Sequence, residues 1–293
     1  MICMLKSKVM LKNIIALIRP KHYLKNGLIF IPLFFSGNFF NLNNIATLLL
    51  AFVAFSAVAS IVYIINDIRD RKHDRLHPKK KNRPLASGAI SVKQAIVIVF
   101  ILAVIAVVFS LLAHIPFYGY LILAIYLVIN IFYSFGLKNL PVVDVAILAA
   151  GFVLRVLFGG EIVDIEVSRW LYLTILAGAF YMGLGKRRGE LSTNGAKSRK
   201  VNEFYTHNFL DKNMYVCLAL TLVFYSLWAT DPSRDNPLMF WTIPLVMILL
   251  MTYSLDIEKE GSAGDPTDVL LGNKALVILA VVYVALATYF LYI

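Results

Sequence analysis

The stretch IATLLLAFVAFSAVASIVYIINDIRDRKHDR, residues 45–75, decides the fold. Positions 45–65 carry no charge. An apolar run of about 20 residues crosses the hydrocarbon core as a helix. The run then passes, without a turn signal, into Asn66-Asp67-Ile68-Arg69-Asp70-Arg71-Lys72-His73-Asp74-Arg75. A membrane helix therefore enters water carrying carboxylates. Asn66, Asp70 and Asp74 are four apart and form one helical stripe, and Asp67, seven before Asp74, returns near that face.

The rest of the chain agrees. Hydrophobic residues make up 60% of the 293 and charged residues 15%, against about 45–50% and about 25% in soluble domains. That excludes disorder, a fibre and an ordinary soluble enzyme. Nine apolar runs are expected as spans, near 22–36, 44–65, 93–113, 117–134, 142–159, 169–185, 213–230, 237–254 and 274–292. They are long runs, not ten-residue alternations, so helices are expected rather than a barrel. The first holds Pro32 and is expected to be kinked or partly interfacial. The expected class is all-α: a polytopic membrane protein of about nine helices, one domain over residues 1–293. The two cysteines, Cys3 and Cys217, form no metal or disulfide pattern. No small-residue cleavage site follows the basic N-terminus, so no removed signal peptide is expected.

The net charge is +11, and it lies on one side. The N-terminal arm and the connections near 66–91, 135–141, 186–212 and 255–273 hold nearly all the Lys and Arg. The opposite connections hold Arg234, with Arg169 at a helix edge. The basic side and the N-terminus are expected in the cytoplasm, and with nine spans the C-terminus outside. No soluble domain is left to hold nucleic acid. For Lys79, Lys80, Lys197, Arg199 and Lys200, attraction to anionic lipid headgroups, about 1 kcal/mol per charge, is the favoured reading.

Three carboxylates and a carboxamide at a membrane edge suit hard Mg2+, which shares its shell with substrate phosphates. The bland alternative is a solvated helix end paired with Arg69, Arg71 and Arg75. Ionisable residues clustered on one face at a membrane helix end favour function. So does the stiff basic segment that follows, His77-Pro78-Lys79-Lys80-Lys81-Asn82-Arg83-Pro84-Leu85-Ala86-Ser87-Gly88. Metal on one side and Lys or Arg on the other is what a diphosphate needs.

Asn66-Asp67-x-x-Asp70-x-x-x-Asp74 with Asn82-Arg83-Pro84-Leu85-x-Ser87-Gly88 resembles the first aspartate-rich motif of the UbiA superfamily of intramembrane prenyltransferases. The resemblance implies helices around a central cavity with cytoplasmic polar cap loops. Prenyltransferases of this family carry a second aspartate-rich motif after the sixth span. Here that place reads Gly185-Lys186-Arg187-Arg188-Gly189-Glu190-Leu191, basic instead of acidic. That element, with Arg19-Pro20-Lys21-His22-Tyr23-Leu24-Lys25-Asn26, the Tyr133…Asp144 segment and Gly151-Phe152-Val153-Leu154-Arg155, resembles the decaprenyl-phosphate phosphoribosyltransferase branch. Tyr23 stands where Trp is common.

The branch implies transfer of 5-phosphoribose from phosphoribosyl pyrophosphate (PRPP) to a polyprenyl phosphate, with pyrophosphate released. Mg2+ is expected on Asn66, Asp70 and Asp74, with Asp67 direct or behind them. Lys25, Arg69, Arg75, Lys81 and Arg83 are the candidates for the PRPP phosphates. Tyr133 and Lys138 resemble the family's cavity-mouth pair. Lys186, Arg187 and Glu190 are placed to close the site, with Glu190 on a ribose hydroxyl. Asp144 either orients a basic neighbour or meets a ribose hydroxyl, and Arg155 either bonds carbonyls or meets substrate. Asp265 and Asp268 read as a plain turn before a cap. The sequence leaves a homo-oligomer open. Two rivals stand: a prenyltransferase joining a prenyl diphosphate to an aromatic or quinone precursor, and a transporter or lipid carrier. Against the second, transporter sites sit near the midplane, and these carboxylates sit at the edge.

Overall fold

A computed structural model describes residues 2–76, 80–194, 200–232, 237–259 and 265–293. His77, Pro78, Lys79, Lys197, Arg199, Arg234, Gly261 and Gly264, which figured in the loop readings, lie outside the described residues. The described chain is helical, with no strand among the described residues. It packs into two compact units: residues 1–31, 39–136 and 157–165, and residues 32–38, 137–156 and 166–293.

The first unit holds α1 (Ile2–Ile18), a 3-10 segment (Pro20–Phe30), α3 (Leu42–Asp74), α4 (Pro84–Ser87), α5 (Val92–Leu112) and α6 (Phe117–Phe135). Helix α3 has 33 residues, about 50 Å at 1.5 Å each. The hydrocarbon core is about 30 Å thick, so more than a dozen residues continue beyond it. Asn41 starts α3 by accepting from the N–H groups of Asn43 and Asn44. Ser91 and Gln94 form a capping box at the start of α5. Leu17, Ala57, Ile64, Leu85, Ile90, Ala95, Leu102 and Ala106 form this unit's apolar core. The outer face of α5, with Phe100, Val104, Val107 and Leu111, is exposed and suits lipid.

The second unit holds α8 (Arg169–Asn194), α9 (His207–Ala229), α10 (Ile243–Glu258), α11 (Pro266–Gly272) and α12 (Lys274–Tyr292). The short α2 (Ile31–Phe35) and the longer α7 (Val143–Ile162) contribute to both units. Its core gathers Val145, Tyr181, Leu184, Val201, Tyr205, Leu210, Met214, Tyr253, Ile257, Val269 and Leu276.

Seven helices among the described residues are long and apolar enough to cross a membrane. The all-α membrane class is borne out; nine spans are not confirmed. The two runs without such a helix are the first and the sixth. The run at 22–36 is a 3-10 segment followed by the five-residue α2. Pro20 opens the 3-10 segment, Pro32 lies inside the run in α2, and the side chains of Tyr23 and Asn26 bind inward. Asn26 donates to Ser56 Oγ at 2.9 Å. The Tyr23 hydroxyl meets Ser60 Oγ at 2.8 Å. Ser56 and Ser60, four apart on α3, present one face to this segment. The sixth run lies within the 26 residues of α8, whose C-terminal part carries Lys186, Arg187, Arg188 and Glu190 and makes the helix less apolar.

The segment packs closely on the C-terminal end of α7. A Cβ on Gly159 would sit 1.9 Å from the carbonyl oxygen of Ile29, so only glycine fits. Gly159→Ala is expected to destabilise by about 1–3 kcal/mol, read as a lowered thermal midpoint in detergent. Gly27→Ala, where nothing lies within 4 Å, is the control and should stay within about 0.5 kcal/mol.

Candidate active site

The helical stripe is present, but its partners are arginines. Arg83 Nη1 bridges two carboxylates of α3, at 3.1 Å from Asp67 Oδ1 and 2.7 Å from Asp74 Oδ2. Arg19 Nη2 lies 2.5 Å from the same Asp67 Oδ1. Both aspartates are 2% exposed. Positions seven apart on a helix differ by only about 20° around its axis, so one guanidinium reaches both. Arg83 is delivered by the loop before α4, where it holds the N-cap position with Pro84 at the first helical position. Arg75 Nε ties the end of α3 to the Ala86 carbonyl at 2.9 Å.

Arg19 was not among the candidates drawn from sequence. It breaks α1 from the 3-10 segment with φ 57° and ψ 59°, a left-handed conformation that costs a non-glycine residue free energy. Its guanidinium also stands 5.4 Å from the Tyr63 ring centroid. The only sequence signal was its place beside Pro20.

The other candidates of this unit are more dispersed. Asp70 and Asn66 are half-buried on α3. Arg69 turns to the end of α6, donating to the Phe135 carbonyl at 3.2 Å and lying 4.1 Å from that ring's centroid. Lys25 and Tyr133 are half-buried, and Lys81 is exposed.

The donor set fits a divalent cation in one respect. The amide oxygen of Asn66 is buried and accepts no hydrogen bond, a situation that costs about 1–3 kcal/mol if unrelieved. A hard cation relieves it. Among the described residues, no three His, Cys, Asp or Glu side chains converge as a cage. The oxygens therefore fit a Mg2+ ion whose shell is completed by a polyphosphate, not an ion held by protein alone.

The second unit carries a different cluster. Asp144 is fully buried and holds Arg187 Nε at 2.5 Å and the Tyr205 hydroxyl at 2.6 Å. Arg187, 1% exposed, also donates from Nη1 to Glu190 at 2.6 Å. Asp144 thus orients a basic neighbour, one of its two expected roles. Lys186 pairs with Asp265 at 2.8 Å, and Arg188 with Asp211 at 2.6 Å. Asp265 also caps α11 through Thr267 N–H, so the turn reading of Asp265 holds. Lys138 is half-buried in the turn Leu137–Asn139. Arg155 donates to the Gly151 carbonyl at 2.5 Å, as its carbonyl-bonding reading expects. Burial, and then the bond to Asp144, raise the Tyr205 phenol above its ordinary range. It stays a neutral donor.

The chain is thus a helical membrane protein with one acidic cluster bridged by arginine and one cluster centred on a buried arginine. Residues 29–190 match the UbiA prenyltransferase family, and the chain belongs to that family. The decaprenyl-phosphate phosphoribosyltransferase of Mycolicibacterium smegmatis is 32% identical over 94% of this chain and 92% of its own. That of Corynebacterium glutamicum is 32% identical over 93% of this chain and 84% of its own. A UbiA homolog from Archaeoglobus fulgidus bound to GPP and Mg2+ has the same fold. Its TM-score is 0.74 at 20% identity, covering 95% of this chain and 99% of that one.

Removing Arg83 strands buried charge. Arg83→Met is expected to cost about 2–3 kcal/mol, seen as a fall in thermal midpoint. Adding Asp74→Asn to that variant should recover part of the loss, because a neutral amide no longer needs the guanidinium. A double variant no more stable than Arg83→Met would refute this charge account.

Proposed function

We propose that the chain transfers 5-phosphoribose from PRPP to a polyprenyl phosphate of the decaprenyl-phosphate type, releasing pyrophosphate at the cytoplasmic face of the membrane. The observation that carries this reading is the pairing at the end of α8. Asp144, Glu190, Asp211 and Asp265 are each matched to Arg187, Arg188 or Lys186. A prenyltransferase of this family is expected to place its second acidic metal site there. Carboxylates already bound to cations support anion handling instead. Relatives that match over 93–94% of the chain are named for phosphoribosyl transfer.

In this reading Asn66, Asp70 and Asp74 hold Mg2+, with Asp67 direct or behind them. When bound, the ion neutralises charge developing on the departing pyrophosphate. Arg83, with Lys25 and Lys81, supplies positive charge to the PRPP phosphates. Arg69 and Arg75, already bonded to carbonyls, add to the local field. Tyr133 and Lys138 are candidates for a phosphate, and Glu190, held by Arg187, is the candidate for the sugar. The C1–O bond to pyrophosphate breaks and its electron pair leaves with pyrophosphate. A lipid phosphate oxygen bonds to C1 from the opposite face, with inversion, through an oxocarbenium-like state as in other glycosyl transfers. That phosphate is already an anion, so a strong general base is not required. Position and electrostatics supply most of the rate.

Purified protein in lipid nanodiscs, given labelled PRPP, Mg2+ and polyprenyl phosphate, should move label into the lipid fraction and stop when the metal is chelated. Asp70→Asn should cut turnover by about 100-fold or more while the protein stays folded. Label that never enters lipid, with an aromatic acid prenylated instead, would overturn the reading. Full turnover in the Asp70→Asn variant would remove the metal assignment.

A further inference from the structure

We infer that Tyr205 is a positioning residue for the sugar: acting through Asp144 and Arg187, it fixes the Glu190 carboxylate that accepts hydrogen bonds from the vicinal ribose hydroxyls. The inference rests on PRPP being the donor. Its basis is one continuous chain of bonds within the second unit. The backbone N–H of Val142 donates to the Tyr205 hydroxyl oxygen at 2.7 Å. That hydroxyl donates to Asp144 Oδ1 at 2.6 Å, and Asp144 Oδ2 takes Arg187 Nε at 2.5 Å. Arg187 Nη1 then reaches Glu190 Oε2 at 2.6 Å.

Exposure is lowest in the middle of the chain and rises at both ends, at Val142, 55% exposed, and at Glu190. The side chains of Asp144 and Arg187 are 0% exposed and that of Glu190 is 15%. The buried members have no water with which to re-sort their bonds. The phenol takes one carboxylate oxygen of Asp144, leaving the other for the guanidinium edge at Nε. That choice fixes the plane of Arg187 and hence which terminal nitrogen meets Glu190. The other end is anchored to strained backbone: Val142 has φ 67°, an outlier for a β-branched residue. Strain of this kind persists where surrounding bonds over-determine the conformation, and it gathers at functional sites. The raised phenol supports the same view, since a neutral Tyr205 always has a proton to give Asp144. A partly exposed carboxylate oriented by the Arg187 guanidinium is suited to accept from paired hydroxyls, which a ribose presents and a lipid phosphate does not.

Tyr205→Phe removes the hydroxyl and keeps the ring, which stacks on Phe209 at 5.8 Å between centroids. In the nanodisc assay, the KM for PRPP should rise about tenfold or more, while the KM for polyprenyl phosphate stays within about twofold. In the Glu190→Gln background, adding Tyr205→Phe should change PRPP affinity no further. If Tyr205→Phe does not accumulate as folded protein, Asp144→Glu carries the test: it keeps the charge, shifts the carboxylate, and should raise the PRPP KM selectively. Equal changes in both KM values, a loss confined to thermal stability, or effects of Tyr205 and Glu190 that multiply would overturn the inference. A wild type that binds no PRPP overturns the donor reading and this inference with it. A wild type that binds PRPP normally, with multiplying variants, overturns the inference alone.

Discussion

A guanidinium held between two carboxylates one heptad apart is the constraint on which the first unit depends. Asp67 and Asp74 are both 2% exposed. Burying either without a counter-charge costs several kcal/mol. The membrane helix α3 can carry them beyond its apolar run only because Arg83 and Arg19 come to meet them. Those two arginines arrive from opposite directions in the chain. One sits where α1 ends, and the other precedes α4. The acidic face therefore also fixes the paths of the two segments that flank α3.

The second unit solves the same problem with the roles reversed. There a guanidinium, Arg187, sits at the centre, and two carboxylates, one of them the fully buried Asp144, gather around it. A buried guanidinium spreads its charge over five donors in a rigid fork, so it can serve Asp144 and Glu190 at once. Lysine could not hold both in a defined plane. The two units thus present unlike chemistry from like components. One is a carboxylate surface tempered by arginine, and the other is an arginine steadied by carboxylates.

Much of this was legible in residue order. Uncharged runs of about 20 residues gave the helical membrane class, and the four-residue spacing of Asn66, Asp70 and Asp74 marked the acidic face. The closer pairing of Asp67 with Asp74 was open to the same arithmetic, since seven residues bring side chains nearer in angle than four. Arg19 and Tyr205 were not legible. Their partners lie 48 and 61 positions away, and no local period encodes such a separation. The first apolar run misled on count for a different reason. Hydropathy registers its Leu, Ile and Phe residues. It does not register that Asn26 and Tyr23 bind inward to Ser56 and Ser60, or that Pro32 within the run works against one continuous helix.

Under the proposed function, the arginine bridge also sets how a cation would enter the acidic face. An ion that took both Asp67 and Asp74 from Arg83 would leave a guanidinium facing a divalent charge, an unfavourable exchange in a poorly hydrated place. A polyphosphate arriving with the ion changes the sign of that exchange. Arg83 then trades carboxylate oxygens for phosphate oxygens, and no charge is stranded. Asn66 responds differently, because its buried oxygen is neutral and already lacks a donor. It accepts a cation without surrendering an ion pair. Ion and anion are therefore favoured as a pair over either alone. Under the proposed function, the electrostatics of the acidic face would favour a substrate that brings its metal with it, through residues that also hold α3, α1 and α4 in place.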